Sequence, residues 1–212
     1  MTRAALGAAL ALVALTAGCD RMVARRPAQV FAPWEEGLTL AYEDPTLEPG
    51  VRSERRQQVR VRESRPAQGG VLVTKTFSTL SGQWEAQVLE RDGGVRLQTP
   101  SGGGGVLLLP EGFPDRVDRW EARGAFNWVV GRAAADLPGI RLYPDPTVGV
   151  WVETAPLDRP GPRTRTFYLP DLGEAETLTW LNGRWVTTNI LVSRGFTDLP
   201  SPAAKPNPGS RP

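Results

Sequence analysis

The chain of 212 residues carries 25 Lys or Arg, 23 Asp or Glu, no His and one Cys. Without histidine it cannot form a Ser-His-Asp triad, a Cys-His dyad or an imidazole metal site. A single cysteine excludes an internal disulfide and a thiolate zinc site. Nearly all the basic residues are arginine, which we attribute to GC-rich codons. Because the acids offset them, we expect no nucleic-acid partner.

The first 19 residues have the pattern of an export signal. A short positive segment ending at Arg3 is followed by the uninterrupted small and apolar run from Ala4 to Ala17. Those residues are too few for a membrane span, which needs about 20 residues. The pattern therefore predicts a signal peptide over residues 1–18.

The apolar run ends in Leu15-Thr16-Ala17-Gly18-Cys19, which resembles the lipobox of bacterial lipoproteins. The resemblance implies cleavage before Cys19, a diacylglyceride on its sulfur, and a membrane-anchored envelope protein that faces the periplasm. Two or more acyl chains hold a protein stably at a membrane, whereas one does not. Asp20 favours the inner membrane, and the outer membrane stays open. The alternative is an ordinary secretory signal with an incidental cysteine.

Composition divides the rest of the chain into three parts. Residues 19–33 are rich in Arg and Pro and predict a tether. Residues 34–200 have the length and apolar content of one domain. Residues 201–212 are a Pro-rich tail, for which we predict no core and no order.

The predicted domain follows a period of two, as strands do. Leu38, Leu40 and Tyr42 alternate with less apolar residues, and many later segments repeat this pattern. The pair Asn182-Gly183 predicts a type I′ hairpin, and Asp92-Gly93-Gly94 predicts a second hairpin tip. No segment after residue 18 has the caps and apolar stripe of an amphipathic helix. We therefore predict an all-β fold of about ten strands, as a single antiparallel curved sheet, a half-barrel or a sandwich.

The segment from Tyr168 to Thr177, followed by the Trp-bearing hairpin, resembles the final strands of uncharacterised envelope lipoproteins with a curved antiparallel sheet. At the level of architecture the chain also resembles half-barrel envelope proteins that carry lipids or lipoproteins. This resemblance implies a fold and a compartment, and it supplies no catalytic residue.

Among the acidic residues, Glu174 and Glu176 stand two positions apart on one predicted strand, which places both on the same face. Paired carboxylates are the groups that hydrolyse glycosides. Two acids spaced in this way are also common on a solvated face, and both interpretations stay open. We expect no cofactor and no metal site.

Seven tryptophans are many for a chain of this size. Inward tryptophans of a curved sheet usually belong to its core, but they also line cavities or form patches for a partner. A ligand or partner face would involve Trp84, Trp120 and Trp128.

Two functions follow from these patterns. The first is a non-enzymatic, lipid-anchored binding or scaffold module, whose partner is a lipid, a lipoprotein or another protein of the envelope. The second is a carboxylate-dependent envelope glycan hydrolase, which needs two acids that face each other across a cleft.

Overall fold

The structure is a computed structural model that describes residues 27–67, 70–98, 105–142, 146–157 and 160–197. Cys19, Asp20, the signal peptide and the Pro-rich tail lie outside these residues. The described chain is all-β, as the sequence predicts, with twelve strands in a single antiparallel sheet. About ten strands were expected and twelve are present, three of which have only four residues.

The strands follow the chain in a simple meander, except that the last strand pairs with the first. Their bounds are β1 Leu38–Glu43, β2 Gln57–Ala67, β3 Gly70–Thr79, β4 Gly82–Arg91, β5 Gly94–Leu97, β6 Val106–Leu109, β7 Arg119–Ala122, β8 Ala125–Ala134, β9 Val148–Pro156, β10 Thr164–Leu169, β11 Gly173–Leu181 and β12 Arg184–Phe196. In space the order is β6-β5-β4-β3-β2-β1-β12-β11-β10-β9-β8-β7. The edges of the sheet are therefore β6 and β7.

The sheet curls until these two edges approach each other. They share no backbone ladder, but the indole nitrogen of Trp120 on β7 donates a hydrogen bond to the carbonyl of Leu108 on β6, at 3.2 Å. The sheet is thus nearly closed into a barrel. We call the face toward the enclosed space the inner face and the opposite one the outer face.

Both expected hairpins form. Asn182 and Gly183 have φ values of 50° and 81° between β11 and β12, and Asp92 and Gly93 have 51° and 80° between β4 and β5. Positive φ at both central positions is what a type I′ turn requires. These turns set the register of the flanking strands, so that Leu181 faces Arg184.

Two short helices interrupt the β pattern. The helix α1 spans Pro27–Val30 and α2 spans Pro49–Glu54, with proline at the start of α2 where its missing N–H costs nothing. Neither has an amphipathic period long enough to be read from sequence. In the described residues no helix has both the length and the apolar character to cross a membrane.

Residues 28–32, which the sequence assigns to the tether, pack against the sheet. Ala28 and Ala32 are buried in the same apolar cluster as Val95 and Phe113. The ring of Phe31 meets that of Phe113 edge to face, with centroids 5.4 Å apart. The packed domain thus begins before residue 34 and includes the segment that follows Cys19 by only a few residues.

Candidate functional site

The inner face leaves a cavity of about 570 Å³ between the two halves of the sheet. This volume lies in the range of small-molecule sites, roughly 300–1,000 Å³. Phe31, Ala32 and Pro33 from the N-terminal segment line part of it. Trp84 also lines the cavity and is 49% exposed, so the cavity opens to solvent beside this residue.

One wall of the cavity is apolar and comes from β3 to β6. Its side chains are large on β3 and β4 near the opening, where Phe77 stacks on Trp84 with centroids 5.6 Å apart. The other apolar members are Ala86, Val88, Val95, Leu97, Leu107, Leu108 and Leu109. Alternation along β3, β4 and β5 sends their members inward, as the sequence pattern predicts. The consecutive Leu107, Leu108 and Leu109 of β6 line the cavity where a β-bulge shifts the register.

A buried lysine interrupts the apolar wall. Lys75 lies on β3 between Val73 and Phe77 on the inner face, directly opposite Ala86 of β4. It is 7% exposed and lines the cavity. Removing an ammonium group from water is costly unless other polar groups compensate. Sequence reasoning did not single out Lys75, although its place within an alternating Val-x-Val-x-Lys-x-Phe pattern is a signal that it faces inward.

The facing wall, from β8 to β12, is polar. The amide nitrogen of Asn127 donates to the carbonyl of Trp120, and the hydroxyl of Thr154 donates to the side-chain oxygen of Asn127 at 2.8 Å. Thr166 and Asn189 continue this wall on β10 and β12. The cavity is therefore amphipathic across its width.

Glu174 of β11 is the acid of this polar wall. Its carboxylate accepts a hydrogen bond from the hydroxyl of Tyr168 at 3.4 Å, and its backbone carbonyl accepts one from Tyr42 at 2.9 Å. Its side-chain surface opens into the cavity. Desolvation by the enclosing walls raises the pKa of Glu174, against the opposing charges of Lys75 and Arg123. Desolvation and the nearby Glu174 also raise the pKa of both Tyr42 and Tyr168.

Glu174 and Glu176 do not share a face, so the expectation that they do is wrong. In the pairing with β10, Tyr168 faces Glu174 while the adjacent Phe167 faces Glu176. Ala175 is the extra residue of a β-bulge, which reverses the direction of the side chains that follow. Glu176 accepts a hydrogen bond from Thr187 on β12. The pair of acids that a hydrolase would need is therefore not formed by these two residues.

The three tryptophans singled out from sequence also do not form one surface. Trp84 lines the cavity at its opening, and Trp120 is buried against Phe113, with centroids 5.5 Å apart. Asn127 pairs with Trp120 and lines the cavity on the inner face. Its neighbour Trp128 therefore points to the outer face. Alternation along β8 thus separates Trp128 from the other two.

The outer face carries a second cluster, built around Glu153. This carboxylate is 1% exposed and lies between Trp128 of β8 and Arg165 of β10 in the sheet register. The guanidinium groups of Arg163 and Arg165 both form ion pairs with it, the second at 2.8 Å. Buried acids are tolerated when they are paired and hydrogen-bonded in this way.

Aromatic rings cover the two arginines of that cluster. The guanidinium carbon of Arg165 lies 4.3 Å from the ring centroid of Trp185, and that of Arg163 lies 5.8 Å from the ring centroid of Trp128. Trp180 packs edge to face on Trp185. We name Glu153, Arg163, Arg165, Trp128 and Trp185 the outer cluster.

No protein-family profile and no curated protein sequence matches the chain. Among solved structures, it is similar to a Bacteroides fragilis protein labelled as exported and as having a YmcC-like fold. The TM-score is 0.51 with 14% identity, over 78% of this chain and 99% of that one. A protein labelled a lipoprotein from Parabacteroides distasonis gives 0.45 and 12%, over 78% and 98%. At this identity the similarity to the first concerns the fold alone.

Within the described residues, no three acidic, His or Cys side chains are grouped so as to hold a metal ion. Around the cavity the structure brings Glu174, which the sequence analysis considered only together with Glu176, close to Lys75, Arg123 and Tyr168, which it did not propose as site residues.

Proposed function

We propose that the protein is an exported lipoprotein, anchored through Cys19, whose nearly closed sheet binds a small amphipathic molecule in its inner cavity. The role is binding, without catalysis. The observation that carries the proposal is the cavity of about 570 Å³ with one apolar and one polar wall. Such a site favours a ligand with an apolar part and a polar part, because each part then meets a wall of its own kind.

The sequence before the described residues supports the anchor. The lipobox-like segment ends at Cys19, and α1 begins at Pro27. Eight residues of extended chain reach at most about 28 Å, so the proposed anchor holds the domain close to the membrane. The label "exported" of the similar Bacteroides fragilis structure supports this compartment.

The experiment compares the wild-type chain with two tryptophan substitutions on β4. Ala86→Trp fills the cavity, because Ala86 lines it opposite Lys75. Gln87→Trp is the matched control, since the next residue of the strand is exposed and points to the other face. Full-length protein is captured on beads through a tag, freed of detergent and offered radiolabelled palmitate. We expect saturable binding by wild type and Gln87→Trp, and at least tenfold weaker binding by Ala86→Trp.

Equal binding by all three proteins, or binding by none, would contradict the ligand-binding role. In the same preparation, Cys19→Ser tests the anchor by fractionation. We expect the substituted protein to leave the membrane fraction and to carry no acyl group. Retention of Cys19→Ser in membranes to the wild-type extent would count against the anchor.

A further inference from the structure

The charged residues of the cavity point to the class of ligand that it takes. Among the described residues that line it, Lys75 and Arg123 are positive and Glu174 is negative. They are not spread evenly, since both cations act on the carboxylate of Glu174. The cavity thus has one charged region, and the rest of its lining is neutral.

The position of Lys75 makes this region part of a ligand site. Its side chain lies on the apolar inner face of β3, beside Phe77 and opposite Ala86 of β4. An apolar chain that lies against β3 and β4 would therefore have a positive group beside it. Arg123 belongs to the turn between β7 and β8, with a φ of 57°, and is exposed. It brings a second positive charge to the same cavity from the opposite wall.

The acid weakens this positive region only in part. Lys75 and Arg123 outnumber this single carboxylate, so the charged region keeps a net positive charge when Glu174 is ionised. The hydroxyl of Tyr168 donates its proton to Glu174 and so holds this carboxylate against the wall. Two cations against one carboxylate leave the region complementary to an anionic oxygen group.

We infer that the cavity binds an anionic amphiphile with a single acyl chain, with its head at Lys75 and Arg123 and its chain along β3 to β6. This inference rests on the proposed function and adds the charge of the head group. A carboxylate and a phosphate monoester share the required chemistry, so a free fatty acid and a lysophospholipid are the two sources. Each buried methylene contributes about 0.8 kcal/mol, so a single chain is enough for binding.

The test uses ligands that have the same chain and different heads. Bead-captured full-length protein is offered radiolabelled palmitate, palmitoyl lysophosphatidate, hexadecanol and hexadecylamine, each below its aggregation limit. We expect both anions to bind at least tenfold more tightly than hexadecanol, and hexadecylamine to bind most weakly. Tighter binding of palmitate than of lysophosphatidate indicates that the natural ligand is a free fatty acid, because a small head site favours the smaller group. The reverse order indicates a lysophospholipid.

Lys75→Met is the deciding variant. Methionine is of similar length and apolar, so it keeps the apolar packing of the wall while it removes the positive charge that acts on Glu174. We expect palmitate affinity to fall to that of hexadecanol while hexadecanol binding is unchanged. Arg123→Met, on an exposed turn, should give a smaller loss of the same kind. Arg91→Met removes an exposed arginine that pairs with Asp92 and does not line the cavity, and it should change nothing.

The possible outcomes distinguish failure of the head-group inference from failure of the proposed function. If hexadecanol and the anions bind equally, or Lys75→Met keeps the preference for anions, the inference on the head group is overturned while the cavity remains a binding site. If no ligand binds to the wild type, the proposed function fails as well. If Lys75→Met does not fold, Arg123→Met alone decides, and an unchanged preference for anions there overturns the inference.

Discussion

Two carboxylates on opposite faces of the same sheet have contrasting surroundings. Glu153 on the outer face is closed off from solvent and is held by two arginines, which rings of tryptophan cover in turn. Glu174 on the inner face opens into a cavity, and its carboxylate has a tyrosine as its hydrogen-bond partner. The first has the contacts of a structural ion pair. The second has a raised pKa and lines a cavity, which are the features expected of the proposed ligand site.

The two faces of the sheet also differ in how closely their side chains pack around these acids. On the outer face, Gly149 lies so close to Phe167 that a Cβ would come within 2.4 Å of the ring. On the inner face, the sheet leaves space for a small molecule between its walls. The outer face is thus tightly packed at Gly149, whereas part of the inner face lines a cavity. Three changes test this contrast.

The largest effect is expected at the outer cluster. In the double substitution Arg163→Met and Arg165→Met, Glu153 stays buried without its cations, which costs about 3–5 kcal/mol of unfolding free energy. Denaturant unfolding of the purified protein measures this loss. Arg132→Met is the control, because Arg132 pairs with Asp115 on the surface, where an ion pair is worth about 0–1 kcal/mol. Similar losses in the two proteins would show that Glu153 does not depend on its arginines.

A smaller effect is expected from Gly149→Ala. The added methyl group meets the ring of Phe167 and the side chain of Leu169, so the outer face must shift, at a cost of about 1–3 kcal/mol. Gly131→Ala, on the neighbouring strand β8, has no heavy atom within 4 Å of its new Cβ and serves as the control. Thermal and denaturant unfolding measure both. A stable Gly149→Ala protein with unchanged midpoints would mean that the outer face is less tightly packed than the structure shows.

The smallest effect is expected at Glu174 and depends on pH. Because its folded-state pKa is above the ordinary value of 4.5, the folded protein binds the extra proton between the two values. The free energy of unfolding therefore falls as pH rises through that interval. The groups around Glu174 are Lys75, Arg123 and the hydroxyls of Tyr168 and Tyr42, and none of them is lost in Glu174→Gln. We expect this substitution to remove that part of the pH dependence.

Unfolding of wild type and Glu174→Gln across the pH range above 4.5 measures the difference. Glu176→Gln is the matched control, since Glu176 lies on the other face, and it should keep the wild-type slope. Identical slopes in wild type and Glu174→Gln would show that the carboxylate of Glu174 is not desolvated, and the contrast with Glu153 would lose its basis.

Local sequence patterns determine the strands and the hairpin turns of this protein. The alternation of Leu38, Leu40 and Tyr42 predicts a half-buried strand, and Asn182-Gly183 predicts its turn type, because side-chain direction and allowed φ are properties of a few neighbouring residues. The all-β fold is a sum of such signals. Composition alone also excludes the catalytic triads and imidazole metal sites that need histidine.

Only the tertiary structure decided which residues meet. A β-bulge at Ala175 sends Glu174 and Glu176 to opposite faces, and the sequence carries no local signal for it because a bulge depends on the pairing with β10. Lys75 and Glu174 are far apart along the chain and come together because β12 pairs with β1 and the sheet curls until β6 approaches β7. A period of two fixes the face of each strand, whereas pairing and curvature fix what that face encloses.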